Sequence, residues 1–256
     1  SGCLTRNWSG VQIPLRSSNQ TLFQRQSTFM IRSMAALSLI RRELEEAAGR
    51  SGRLIDDISL MAVSKTQPYE RLLDLYDEGQ LLFGENRVQE AADKLPDDRP
   101  EGMKVHLIGH LQSNKAKRAL TLFDQIDSVD SLRLAQILEK HLDRPYPILL
   151  QLKTSDEASK HGFADEDELL FALEAISSFR CLTVKGIMSI GPLTSEESVT
   201  RKAFEQTRNL YHRAQELFPE LNLDTLSMGM SGDFALAIAE GSTMVRIGTR
   251  MFGART

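Results

Sequence analysis

Short apolar runs alternate with stretches of helical spacing along most of the chain. From Met34, MAALSLIRRELEEAAGR carries apolar residues three and four apart and has Gly49 near its end, which predicts a helix. DISLMAVSK (57–65) is dense and apolar, as a strand buried on both faces must be. YERLLDLYDEG returns to helical spacing and stops at Gly79. Further strands are predicted at 81–83, 104–108, 124–129, 146–152, 182–187, 223–227 and 243–247. Helices are predicted near 86–95, 113–121, 131–142, 165–178, 196–217 and 232–240. With 59–64 this makes eight strands, and each except the last leads into a clear helix. Strand–helix alternation implies a parallel sheet. Eight units in 256 residues predict an α/β protein with a single (β/α)8 TIM barrel over 34–256 and an extra N-terminal helix. An open doubly wound sheet is the second choice.

Residues 1–33 fall outside this pattern. The stretch is rich in Ser, Gln and Arg, and it lacks acidic residues and a clean period. It reads as an N-terminal extension of irregular structure: a tag scar, upstream translation, or a transit-like segment. Met30 and Met34 both fit as native starts.

Charge sharpens the division. Residues 1–42 hold six Arg and no Asp or Glu, so the formal charge of −4 hides an acidic body with 25 basic and 35 acidic residues. A broad nucleic-acid surface is not expected on such a body. Cys3 and Cys181 are the only cysteines, which removes a disulfide framework or a thiolate zinc site and makes a reducing, cytoplasmic setting the default. An organellar setting applies if 1–33 is a native transit peptide. No apolar run nears the roughly 18 residues of a membrane helix.

Functional groups in such a barrel sit at the C-terminal ends of the strands. Strand 1 ends in Val63-Ser64-Lys65-Thr66. A lysine there either snorkels to solvent or is a desolvated amine able to condense with an aldehyde. Strand 2 ends in Phe83-Gly84-Glu85-Asn86, where Asn86 either caps the next helix or aims its amide into the barrel mouth. Strand 3 leads to Gly109-His110-Leu111-Gln112-Ser113-Asn114, and Gln112 and Asn114 read as candidate helix caps. His106 and His110 are four apart, but in a strand that is about 13 Å, so they cannot share a metal. His106 is expected to be packed in the core. The loop after strand 5, Lys153 to Phe163, is polar and without period, a solvated loop or a lid.

Strands 7 and 8 end in SMGMSGD and RIGTR. Glycines let backbone approach a ligand, helix starts favour anions, and these two loops form the usual phosphate site of the fold. Ser231, Gly232, Gly248 and Thr249 supply the donors. Arg246 alternates with Met244 and Gly248, so an inward Arg246 needs an acceptor: a pyridine nitrogen, or a carboxylate from a neighbouring strand. The Walker, Rossmann, nucleophile-elbow and H-E-x-x-H motifs are absent.

The blocks AVSKTQP, FGENRVQE, HLIGHLQSNKAK, GIMSIGP, SMGMSGD and STMVRIGTRMFG, in this order over about residues 34–254, resemble the YggS/PROSC family of pyridoxal-phosphate homeostasis proteins. The family is a single-domain barrel similar to the N-terminal domain of alanine racemase. The resemblance implies that Lys65 holds pyridoxal 5′-phosphate as a Schiff base. It further implies that Ser231, Gly248 and Thr249 hold the phosphate, that Arg246 faces the pyridine nitrogen, and that Asn86 lies near the ring. Lys160 looks like a family lysine implicated in cofactor handling. Gly232 stands where many members have an acidic or amide residue, which removes a side-chain role there while leaving backbone donors.

An arginine at the pyridine nitrogen favours an unprotonated ring and a weaker electron sink. Racemisation also needs an acid/base group on each face of the substrate carbon. In alanine racemase the second is a tyrosine from an extra domain of the partner subunit, and none of Tyr69, Tyr76, Tyr146 and Tyr211 falls in a strand-end motif here. The expectation is therefore a non-enzymatic carrier that buffers pyridoxal phosphate or delivers it to apo-enzymes, working as a monomer, with no catalytic residues and no metal. A racemase, or a phosphate-binding barrel with a surface Lys65, are the alternatives.

Overall fold

The computed structural model describes residues 35–154, 161–194 and 196–253. The N-terminal extension and Lys160 lie outside the described residues. Eight strands close into a barrel in chain order, and every neighbouring pair is parallel. They are β1 (Ser59–Val63), β2 (Leu82–Glu85), β3 (Lys104–Leu107), β4 (Gln125–Val129), β5 (Tyr146–Leu152), β6 (Leu182–Ser189), β7 (Thr225–Met230) and β8 (Met244–Ile247). The helices are α1 (35–50), α2 (Tyr69–Asp77), α3 (Val88–Lys94), α4 (Ala116–Leu122), α5 (Leu132–Glu139), α6 (Glu166–Ser177), α7 (Glu197–Leu217), α8 (Phe234–Ala239) and α9 (Thr249–Phe252). The open doubly wound alternative is excluded by the β1–β8 pairing, in which Met61 lies beside Arg246.

The dense apolar runs are explained by burial on both strand faces. Outward residues such as Phe83, Ile126, Leu150 and Val245 join the helices in one continuous core. Inward residues Met61, Ile108, Leu149, Met188 and Met244 fill the barrel from within. In α1 the buried stripe is Leu37, Ile40, Leu44, Ala47 and Ala48, the three-and-four spacing of one helix face. Glu43, at the edge of that stripe, pairs with Arg250.

Some boundaries differ from the pattern. β6 continues to Ser189 and β7 to Met230, past the expected ends at 187 and 227. Gly229 lies in the added part of β7. It sits at φ +94 within the strand, where a Cβ would lie 2.5 Å from that of Ala237 in α8. The helix expected at 113–121 opens as a 3-10 turn, Ser113–Lys115, before α4. The four-residue α9 after β8 is too short to show a 3.6 period and was not expected. No described helix is long and apolar enough to cross a membrane.

Candidate functional site

At the C-terminal end of the barrel lies a cavity of about 560 Å3. Lys65, Asn86, Ser231, Arg246, Gly248 and Thr249 all line it, so the fold brings together in one wall the six positions singled out in the sequence.

Lys65 lies two residues beyond β1, in a turn closed by Gln67 N–H donating to the Ser64 carbonyl at 3.0 Å. The next residue, Thr66, has φ 65, a left-handed backbone that is strained for a β-branched residue. A buried polar cluster holds the turn in that state. Thr66 N–H donates to the Glu90 carboxylate. Lys94 Nζ donates to the carbonyls of Ser64 and Gln67, each at 2.9 Å, bracketing Lys65. The same ammonium lies 2.7 Å from Glu85, whose carboxylate also accepts from Ser64 Oγ. Glu85 is wholly buried, and burial pushes its carboxyl above the ordinary range while Lys94 pulls the other way.

Asn86 is not a helix cap. Arg87 occupies the N-cap of α3 without a side-chain bond, and Asn86 faces the cavity. Its backbone is pressed against Gly109: a Cβ at that glycine would lie 2.1 Å from the Asn86 carbonyl oxygen. Neither Gln112 nor Asn114 acts as a cap, since Gln112 precedes the 3-10 turn with no side-chain bond and Asn114 lies within it.

Arg246 is 4% exposed and reaches into the barrel from β8. Its acceptors are neutral. Nη1 donates to Ser227 Oγ at 2.6 Å and Nη2 to the Ser189 carbonyl at 2.7 Å. In place of the carboxylate offered as one alternative, Ser227 at the expected end of β7 and Ser189 in the extra length of β6 bring these acceptors to the guanidinium. Burial lowers the Arg246 pKa to about 10, with Asp127 and Asp233 opposing, so the group stays a cation at neutral pH. His106 is buried, as expected, with Nδ1 3.2 Å from Asp127, to which Gln125 also donates at 2.8 Å.

On the β7–β8 side, Ser231, Gly232, Gly248 and Thr249 face the same space. Gly248 precedes α9, and helix starts leave their first N–H groups outside the helical ladder. The sequence reading did not assign Gln151, His110 or His161 to this cavity, although all three line it. The two histidines gave a weak signal because their loops have no period, and Gln151 because a polar residue inside an apolar strand does not say which way it faces.

A family model described as alanine racemase, N-terminal domain, matches residues 37–256. The pyridoxal phosphate homeostasis protein of Vibrio alginolyticus is 42% identical over 216 residues, covering 80% of this chain and 90% of that protein. The chain belongs to the pyridoxal phosphate homeostasis protein family. Solved structures are similar as well. PipY of Synechococcus elongatus with pyridoxal phosphate bound is 38% identical, with a TM-score of 0.70, over 82% of this chain and 99% of that chain. Alanine racemase of Corynebacterium glutamicum shares the fold alone, with 19% identity, a TM-score of 0.65, and coverage of 87% of this chain and 62% of that one.

Proposed function

We propose that this chain binds pyridoxal 5′-phosphate through Lys65 and takes part in intracellular vitamin B6 homeostasis by buffering or delivering the cofactor. The observation that carries this reading is the convergence of Lys65, the buried Arg246 cation and the Ser231–Gly248–Thr249 edge on one cavity. Its volume of about 560 Å3 falls in the range of small-molecule sites. The donor set fits an anionic aromatic ligand, because this wall offers an amine, a guanidinium, hydroxyls and glycine backbone.

Pyridoxal phosphate supplies an aldehyde electrophile on a pyridine ring and a phosphate anchor. Lys65 supplies the amine that attaches it, held in place by the Ser64–Gln67 turn and the Lys94 bracket. Ser231 and Thr249 supply hydroxyl donors for phosphate, and Gly248 allows backbone to approach it. Arg246 has donors only and keeps its charge, so a ring nitrogen facing it is an acceptor without a proton. Asn86 orients the ring with its amide.

Proton handling on a second face of a substrate carbon has little support from the tyrosines. Tyr146 and Tyr211 donate to the carbonyls of Phe123 and Leu223, each at 2.8 Å, and burial raises both pKa values, that of Tyr211 to about 12. Tyr76 donates to the Glu101 carbonyl. We therefore favour a carrier over a racemase, acting as a monomer in the cytoplasm, with apo-enzymes that need the cofactor as recipients. The buried free thiol of Cys181 fits a reducing compartment.

The test is a visible absorbance titration with pyridoxal phosphate, beside Lys65→Ala, followed by an alanine turnover assay. A new band in the wild type that is absent from the variant, with no turnover, supports the carrier. A band that survives in the variant overturns the Lys65 assignment, and turnover overturns the non-enzymatic role.

A further inference from the structure

Across the mouth from Lys65, three loops bring together a different chemistry. His110 follows β3, Asp130 follows β4, and His161 lies on the return of the loop after β5. One ligand atom from each lies within 4.8 Å of the other two. His110 Nδ1 is 2.8 Å from Asp130 Oδ2, and His161 Nδ1 is 3.9 Å from the same oxygen. The two imidazoles are stacked, with centroids 3.7 Å apart and planes 12° from parallel.

An ordinary hydrogen bond explains His110 alone. At 3.9 Å the His161 nitrogen is beyond hydrogen-bond reach of the carboxylate, yet its ring is turned to it. We propose that His110, Asp130 and His161 form a binding site for a divalent transition cation of the zinc class. Two imidazoles and one carboxylate suit zinc, and also cobalt, nickel and copper, far better than magnesium or calcium. Three protein ligands leave a coordination position open, here toward the cavity that both histidines line. A tetrahedral zinc with bonds of about 2.0–2.1 Å needs ligand atoms roughly 3.3 Å apart. Binding requires the His110–Asp130 pair to open from 2.8 Å, His161 to close from 3.9 Å, and one imidazole to turn out of the stack so that both lone pairs meet on the ion; the histidines have room for this at 40% and 50% exposure, while Asp130 at 11% is the fixed member.

The backbone behind the ligands is already fixed. Gly109 is locked against Asn86, and its carbonyl accepts from Ser128 Oγ at 2.7 Å. Gln151 Nε2 donates to the His161 carbonyl at 2.7 Å, and Phe163 pairs with the end of β5. Ser131 Oγ donates to Asp130 Oδ1 at 3.3 Å, orienting the carboxylate from outside the ligand set.

The experiment titrates the full chain, free of pyridoxal phosphate, with Co2+ followed by its visible d–d absorption, and with Zn2+ by calorimetry. The expected result is one equivalent bound, with affinity reduced more than about tenfold in each of His110→Ala, Asp130→Asn and His161→Ala. Zn2+ should also raise the melting temperature of the wild type and leave that of the variants unmoved. No saturable binding, or equal binding by all four proteins, overturns the site. Should a variant fail to fold, the wild-type Co2+ spectrum decides alone, because a spectrum unchanged from that of the aqueous ion means that no imidazole-ligated site exists. Since no pyridoxal phosphate is present, this failure is separate from that of the carrier reading.

Discussion

The two halves of the barrel mouth carry opposite chemistry on the same architecture. The side built by β7, β8, β1 and β2 presents Lys65, Arg246, Ser231 and Thr249, which offer protons and positive charge. The side built by β3, β4 and β5 presents His110, Asp130 and His161, which offer lone pairs. The first half rests on buried support, with the Glu85–Lys94 cluster under Lys65 and the Ser227–Ser189 acceptors around Arg246. The second rests on backbone locks and leaves its rings half in water. A barrel thus separates scaffold from chemistry: neighbouring loops are free to carry opposite electrostatics because neither has to supply the core.

This contrast breaks most sharply at Lys65. Lys65→Ala should abolish the visible band formed with pyridoxal phosphate while still taking up cobalt; loss of both would mean the halves are one site. Next is Lys94→Met, which leaves the wholly buried Glu85 without its cation. It should cost about 3–5 kcal/mol, read as a lower urea midpoint, and the double change with Glu85→Gln should recover part of the loss. Arg246→Met strands the Ser227 hydroxyl and the Ser189 carbonyl and should cost about 1–3 kcal/mol, with weaker cofactor binding in the same absorbance titration.

The smallest effect is a slope. Burial raises the Glu85 pKa above its ordinary value of 4.5, so the folded chain keeps this proton to higher pH than the unfolded chain does. Its stabilising contribution is full below about 4.5 and is lost as pH rises through the raised value. Urea midpoints measured across that window should fall more steeply with pH in the wild type than in Glu85→Gln. Equal slopes would mean that Lys94 fully offsets the burial.

The barrel was legible because its strands are apolar on both faces, and a run such as ISLMAV has few other uses. The donor half of the mouth was legible for a related reason, since Lys65 and Arg246 are charges set in or against apolar runs and Gly248 punctuates one. Ser189 was not, because a strand end read from hydrophobicity stops at Ile187 while β6 runs two residues further, and Ser227, although at an expected strand end, gave no sign of the partner it would meet from β8. His110, Asp130 and His161 lie about 20 and 30 residues apart on three loops, and only the closure of the sheet makes them neighbours. The pairing of Glu85 with Lys94 was not legible either, because burial of a charge pair leaves no periodic trace.

Closure of the sheet has one more outcome. Every strand has a partner on both sides, from β1 round to β8, so the barrel offers no row of free backbone groups along a flank. An open sheet is exposed to strand addition, the route by which foreign chains pair with an edge and by which fibrils grow. This barrel is closed to both. A protein that engages it must read side chains and loops, and one that approaches the mouth will meet amine and hydroxyl groups on one lip and imidazole and carboxylate on the other.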